Sequence, residues 1–372
     1  MSNGNSDHKL LLKFEHDRRQ NNDSVADFTH TQRIDDSMLV IELIALDMEI
    51  RMSLGEQFDT EDYFFDFPHL VHQIPKIYAQ VLKDFKRNFC PVTSRFGPLP
   101  TDIHGHRVSR ELARGGMGVV YLAEQADSQT PCALKMPFFK SDSNEASILA
   151  KVEHPNVCRL LGSGSTDGFA YVCTELVAGK TVKEILSGRD RFTAIEAVKI
   201  VRQIACGLHS IHSSGCVHFD INPGNIMIAD SGKPTLIDFG LAMSIENSNL
   251  QELGGGGCAF GTPDYASPEM FDEAYGTPGP ASDVYGLGVL LYEMLTGTRP
   301  FSIKQQQDIQ VALRSPPSRL SDYEGLEIDA NLEDICLNTL AKCASDRTSS
   351  MKELAIQLDD WLTVAQINEW LA

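Results

Sequence analysis

Basic residues are scarce in this chain: 32 Lys and Arg stand against 51 Asp and Glu, a formal net charge of −19 over 372 residues. A surface of that sign repels phosphate backbones and anionic headgroups, so neither nucleic acid nor a membrane is an expected partner. Long apolar runs are missing too. The strongest, VYGLGVLLYEML from Val284 to Leu295, contains Glu293 and is too short to span a bilayer. The start, MSNGNSDHKLLLKFEHDRRQNN, has no apolar stretch long enough for a secretory signal. The nine cysteines are odd in number and none forms a C-x-x-C pair, so no zinc site or disulfide framework is expected. Most lie in apolar runs, as small buried thiols do, which suits a reducing compartment. What remains is a soluble, cytoplasmic protein of ordinary apolar content, 42%, with length enough for two or three domains.

Residues 1–35 are polar and without clear periodicity, and read as a loose tail. From residue 36 the pattern changes: Leu39, Leu43, Leu46 and Ile50 recur at helical spacing, with Gly55 as a stop. Thr60 is a candidate cap, and a further helix is expected after Pro75. Residues 36–100 thus read as a small helical module, with Phe64, Phe65 and Phe67 as core or else a docking patch, ending in a linker that carries Pro91, Gly97, Pro98 and Pro100. Strand patterns follow in RVSRELARGGMGVVYLAE, PCALKM and FAYVCTELV; helical patterns dominate from Val182 onward. Strands first and helices after predict an α+β architecture of two lobes, about 104–176 and 177–366, within a domain spanning 101–366, and a short C-terminal end over 367–372.

Three motifs carry chemistry. In LARGGMGVVY, glycines between two strands allow backbone N–H groups to approach phosphates, although a plain hairpin turn reads the same way. Lys135 ends an apolar strand, which requires an anion nearby, Glu145 being one candidate, or else a side chain snorkelling to solvent. VHFDINPGNIMI followed by LIDFG sets Asn225 and Asp238 as oxygen ligands for Mg²⁺ and leaves Asp220 to accept a hydroxyl proton.

Taken in order, the glycine loop, strand lysine, helix glutamate, H-x-D-x-x-x-x-N and D-F-G resemble the protein-kinase signature set. From about Arg107 to Leu362 the chain is similar to bacterial serine/threonine protein kinases of the eukaryotic-like type. GTPDYASPE resembles the end of an activation segment, Asp283 a residue that braces the catalytic loop, and Arg347 the arginine that pairs with Glu269. The resemblance implies a bilobal fold, ATP with Mg²⁺ or Mn²⁺, and protein substrates. Leu112, Ala113, Gly115, Gly116, Gly118 and Val120 would roof the nucleotide, with Ala133 and Thr174 (the gatekeeper) in its pocket and the backbones of Glu175 and Val177 on adenine. Lys135, held by Glu145, would grip the α- and β-phosphates. Asn225 and Asp238 would hold the metal, Asp220 would orient the acceptor hydroxyl, and Thr262 marks serine/threonine specificity. ELIALDMEIRMSLGEQFDTEDYFFDFP resembles the segment that precedes some bacterial multidomain kinases and implies a docking or packing role. No membrane anchor or sensor domain is expected.

Departures from the family's pattern bear on activity. Ala113 replaces the first loop glycine. Phe219 stands where many kinases have an arginine that receives a phosphorylated activation loop, and only Ser244 and Ser248 are acceptors between Leu241 and Phe260, so no such switch is expected. Asn222 replaces a lysine that contacts the γ-phosphate; losing one transition-state donor costs on the order of 10²–10³ in rate. The expectation is a kinase of weakened activity. A pseudokinase scaffold or nucleotide-sensing module is the alternative, and a small-molecule phosphotransferase, whose loops HFDINPGN and LIDFG also resemble, is a third.

Overall fold

In the computed structural model, residues 102–371 are described apart from 115–117, 138–144, 167–168, 189–190, 246–261 and 304–305, together with parts of 13–77. They form two compact units. The first comprises Met1–Ser143 and Leu161–Leu176, the second Asn144–Leu160 and Val177–Ala372. Residues 144–160, placed by sequence in the strand-rich lobe, therefore group with the helical unit.

The first unit contains two separate cores. Helices α1 (Val25–Gln32) and α2 (Ser37–Leu54) build one around Phe14, Val25, Phe28, Leu43, Ile44 and Met48. This corrects the loose tail expected through residue 35: Ser24 caps α1 by accepting from the Asp27 amide, and Phe14, Val25 and Phe28 are 0–3% exposed. Phe67 joins this core, whereas Phe64, Phe65 and the linker lie outside the described residues, as does most of the segment after Pro75. Asp47, 1% exposed, accepts from Arg18 Nε (2.5 Å), Arg51 Nε (2.9 Å) and the Tyr63 hydroxyl (2.6 Å). Its charge is buried but fully paired.

The second core lies under a six-stranded sheet in the order β1-β2-β3-β4-β6-β5. Its strands are β1 (Asp102–Ile103), β2 (His106–Arg114), β3 (Gly118–Gln125), β4 (Pro131–Pro137), β5 (Leu160–Thr166) and β6 (Phe169–Glu175). Period-two alternation sends Val119, Tyr121, Ala123, Cys132, Leu134, Met136, Tyr171 and Cys173 to one buried face.

The second unit is mainly helical. After α3 (Glu145–Leu149) come β7 (Gly179–Thr181), α4 (Val182–Gly188) and α5 (Ala194–Ser213). A capping box starts α5: Thr193 Oγ1 accepts from the Glu196 amide, and the Glu196 carboxylate accepts from the Thr193 amide. Short strands β8 (Cys216–Val217), β9 (Ile226–Ala229), β10 (Pro234–Leu236) and β11 (Met243–Ser244) frame two loops, and α6 (Pro268–Phe271) follows. Helix α7 (Pro280–Thr296) is buried nearly all round and runs through the centre. Gly288 lets it approach its neighbour, because a Cβ there would stand 2.0 Å from Thr339 Oγ1. Helices α8 (Gln306–Arg314), α9 (Ala330–Thr339) and α10 (Met351–Leu371) complete the unit. Trp361 is buried and its indole N–H donates to Asp329. Among the described residues no helix is long and apolar enough to cross a membrane.

Candidate active site

Sheet register gathers part of the sequence-predicted set in the first unit. Val120 is opposite Lys135, which is opposite Val172; Ala133 is opposite Thr174; Ala113 is opposite Val120. Directly opposed residues point to the same side, so Ala113, Val120, Ala133, Lys135 and Thr174 share the face that the apolar core does not use. Lys135 is half-buried there and Thr174 is buried. Leu112 lies at an irregular point of β2, and Glu175 ends β6. Gly118 has a packing reason of its own: a Cβ would fall 2.1 Å from the Met136 carbonyl oxygen. Gly115 and Gly116 lie outside the described residues.

Val177 and the remaining residues belong to the second unit, where Thr262, Asn225 and Asn222 are bonded to Asp220. Thr262 donates to Asp220 Oδ1 through both its amide and its hydroxyl, each at 3.1 Å. Asn225 Nδ2 donates to Asp220 Oδ2 (2.8 Å) and to the Asp220 carbonyl (2.9 Å). With both amide hydrogens of Asn225 engaged, its carbonyl oxygen Oδ1 is left as the atom for a cation. The Ile237 amide donates to the Asn225 carbonyl (3.0 Å), which brings Asp238 alongside, and the Asp238 carboxylate accepts from the Gly240 amide (2.8 Å). An amide oxygen and a carboxylate fit a hard ion such as Mg²⁺. Glu145, buried at the start of α3, accepts from the Phe239 amide (3.4 Å).

The catalytic-loop backbone is held by one buried group. Asp283, 1% exposed on α7, accepts from the His218 amide (2.9 Å), the Phe219 amide (2.8 Å) and His212 Nε2 (2.7 Å). Burial alone would raise its pKa. The His212 hydrogen bond and the nearby imidazoles outweigh that and hold it below the usual range. This grip fixes Phe219 at φ 63°, a left-handed conformation that costs a non-glycine residue about 1–2 kcal/mol. The Phe219 ring packs with Val217, Ala266 and Met270. His218 stacks edge-on against Phe239 at 4.9 Å, and its Nδ1 accepts from the Asp220 amide. Its Nε2 is buried with no hydrogen-bond partner among the described residues.

Asn222 is 9% exposed and engaged locally: Nδ2 donates to the Asp220 carbonyl (3.3 Å) and Oδ1 accepts from the Gly224 amide (2.9 Å). The side chain shapes the loop turn. Beside it runs the Lys183 stem, whose Cδ would lie 4.0 Å from a Cβ on Gly224.

Below the loop, Glu269 and Arg347 form a fully buried bidentate pair, at 2.7 and 2.6 Å. The remaining Arg347 donors reach the carbonyls of Ala341, Ala281 and Lys342, and Ser282 Oγ donates to Glu269. All five guanidinium hydrogens are thereby satisfied. Sequence reasoning missed His212, whose signal was its place in the last turn of α5. It also missed Asp264, which binds Arg299 and accepts from the Ile303 amide (2.6 Å).

The family model for the protein kinase domain matches residues 106–358. Serine/threonine-protein kinase PknD of Mycobacterium tuberculosis (strain H37Rv) is 30% identical over 285 residues, covering 74% of this chain and 41% of PknD. The probable serine/threonine-protein kinase PknB of Lactococcus lactis is 28% identical over 261 residues, 67% of this chain and 40% of PknB. Serine/threonine-protein kinase pkn2 of Myxococcus xanthus is 33% identical over 271 residues, 67% of this chain and 31% of pkn2. The chain spans about two fifths or less of the length of these relatives.

Proposed function

Because the chain belongs to the protein kinase domain family, we propose that it transfers the γ-phosphate of ATP to serine or threonine hydroxyls of protein substrates, with turnover slowed by Asn222. The observation that carries this reading is the environment of Asp220. Thr262 and Asn225 together fix its carboxylate, leaving it oriented to accept the proton of an acceptor hydroxyl. Asn225 and Asp238 would hold Mg²⁺ or Mn²⁺, which would supply charge neutralisation for the phosphates. Lys135 supplies a cation for the α- and β-phosphates, the face bearing Ala113, Val120, Ala133 and Thr174 takes the nucleotide's apolar contacts, and Gly115, Gly116 and Gly118 offer backbone N–H groups to its phosphates. Glu145 steadies the lysine, and the backbones of Glu175 and Val177 meet adenine. No lysine stands at position 222, so the γ-phosphate lacks a charge partner there. A cytoplasmic location and a docking role for the N-terminal helical module complete the reading.

ATP turnover with Mg²⁺ or Mn²⁺ and a generic basic acceptor protein tests it, with Asp220→Asn as the control. Phosphate transfer that disappears in Asp220→Asn is the expected result. Nucleotide binding with no Asp220-dependent transfer would leave the second reading, a pseudokinase scaffold. That reading is favoured by one observation: the Asn222 amide is bonded within its own loop.

A further inference from the structure

The chain has no C-x-x-C motif, yet folding assembles a cluster of metal-ligating side chains from three strands. A ring nitrogen of His106 on β2, the sulfur of Cys132 on β4 and that of Cys173 on β6 all lie within 4.8 Å of one another, and all three side chains are buried. Register explains the meeting. Cys132 is opposite Glu175 and Cys173 opposite Leu134, so the thiols are diagonal neighbours on the buried face. Between β2 and β4 the intervening position is Ala123, opposite both Val108 and Cys132, and its single methyl leaves space for the imidazole two residues before Val108.

Two further observations point to a ligand. His106 Nδ1 is 3.1 Å from the Ile103 carbonyl, which can only accept, so the ring hydrogen resides on Nδ1 and the free lone pair on Nε2. Metal-bound histidines commonly donate their other ring N–H to a carbonyl in this way, which fixes tautomer and ring orientation. Tyr171 packs edge-on against the same ring at 5.6 Å and limits its rotation.

We propose that the His106 imidazole, Cys132 Sγ and Cys173 Sγ bind a thiophilic metal ion, zinc(II) or copper(I), on the sheet face opposite Lys135. Thiolate and imidazole donors select such ions over Mg²⁺ or Ca²⁺. Binding releases the thiol protons to solvent and cross-links β2, β4 and β6. A disulfide between the two cysteines would leave the oriented imidazole without a role. Since Cys132 shares a strand with Lys135, and Cys173 adjoins Thr174, the ion would stiffen the strands that carry the predicted nucleotide contacts.

The full chain, reduced and stripped with chelator, is titrated separately with zinc(II), copper(I) and cobalt(II), with no nucleotide present. A single ion per chain and a sulfur-to-cobalt charge-transfer band are expected, together with metal protection of Cys132 and Cys173 from alkylation. Cys132→Ser, Cys173→Ser and His106→Gln should weaken zinc or copper binding at least ~10-fold. Cys206→Ser, outside the cluster, should match the parent. The zinc and copper arms identify the ion. The cobalt band and thiol protection are read on the unmutated chain, so variants that fail to fold do not decide the matter. Absence of stoichiometric binding, binding that survives Cys132→Ser, or oxidation to a Cys132–Cys173 disulfide without metal uptake overturns the proposal. None of these readouts involves phosphate transfer, so they stand apart from the catalytic reading.

Discussion

Replacing Asp283 with asparagine removes a charge while keeping the shape of the side chain. The carboxylate now receives three donors: the His218 amide and His212 Nε2 on Oδ2, and the Phe219 amide on Oδ1. An amide has one acceptor oxygen. Placed at Oδ2 it keeps two donors but turns its NH₂ against the Phe219 N–H; placed at Oδ1 it abandons two. The better arrangement leaves one buried N–H unsatisfied, at about 1–3 kcal/mol, and strips charge assistance from two bonds, at about 1 kcal/mol each. The sum, about 3–5 kcal/mol, matches the cost of breaking a buried pair by removing one partner. Urea unfolding followed by far-UV circular dichroism measures it as a fall in midpoint at unchanged slope. Loss of phosphate transfer should exceed what the unfolded fraction explains, because Phe219 at φ 63° loses its anchor. The pH dependence provides a second check. Asp283 has its folded pKa depressed, so its contribution is present above the unfolded value, about 3.9, and is lost as pH falls toward the folded one. The gap between parent and variant should therefore close in acid. A variant less than about 1 kcal/mol weaker at neutral pH would refute the reasoning.

Three other outcomes follow from the geometry. Asn222→Lys restores a cation beside Asp220 and should raise kcat by up to about 10²–10³; unchanged or lower turnover would count against the slowed-enzyme reading. Arg347→Lys replaces five donors with three, leaving two buried acceptors unpaired at about 1–3 kcal/mol each in denaturant unfolding, whereas a loss near zero would mean that the Glu269 pair is not held as described. Burial, and secondarily Arg347, lowers the Lys342 pKa from 10.5 to about 8. Between those values the unfolded chain binds more protons, so stability should rise with pH. Parallel midpoint curves for the parent and Lys342→Met across this window would refute the assignment.

The order of motifs along the chain was enough to nominate Asp220, Asn225 and Asp238, because each sits in a short loop between apolar segments. The bonds that orient them were not legible. The resemblance named Asp283 as a brace for the catalytic loop and Thr262 as a mark of specificity, but no local pattern indicates which amides Asp283 holds or that two Thr262 donors reach Asp220. Helix α1 escaped notice because its few apolar residues, Val25 and Phe28, have value only when packed against α2. Asn222 reads in sequence only as the replacement of a lysine; its engagement with Gly224 and the Asp220 carbonyl depends on the turn the loop adopts. The His106, Cys132 and Cys173 cluster was invisible for a related reason, since strand register rather than spacing brings its members together.

Phe219 fills a greasy niche formed by Val217, Ala266 and Met270, where an arginine would have offered a positive tip. An aromatic ring in that place responds to how neighbouring atoms fit and ignores an incoming anion. A switch acting at this position would have to press or free that niche rather than bind a phosphate. Its influence should be nearly blind to ionic strength, unlike any toggle built on opposite charges.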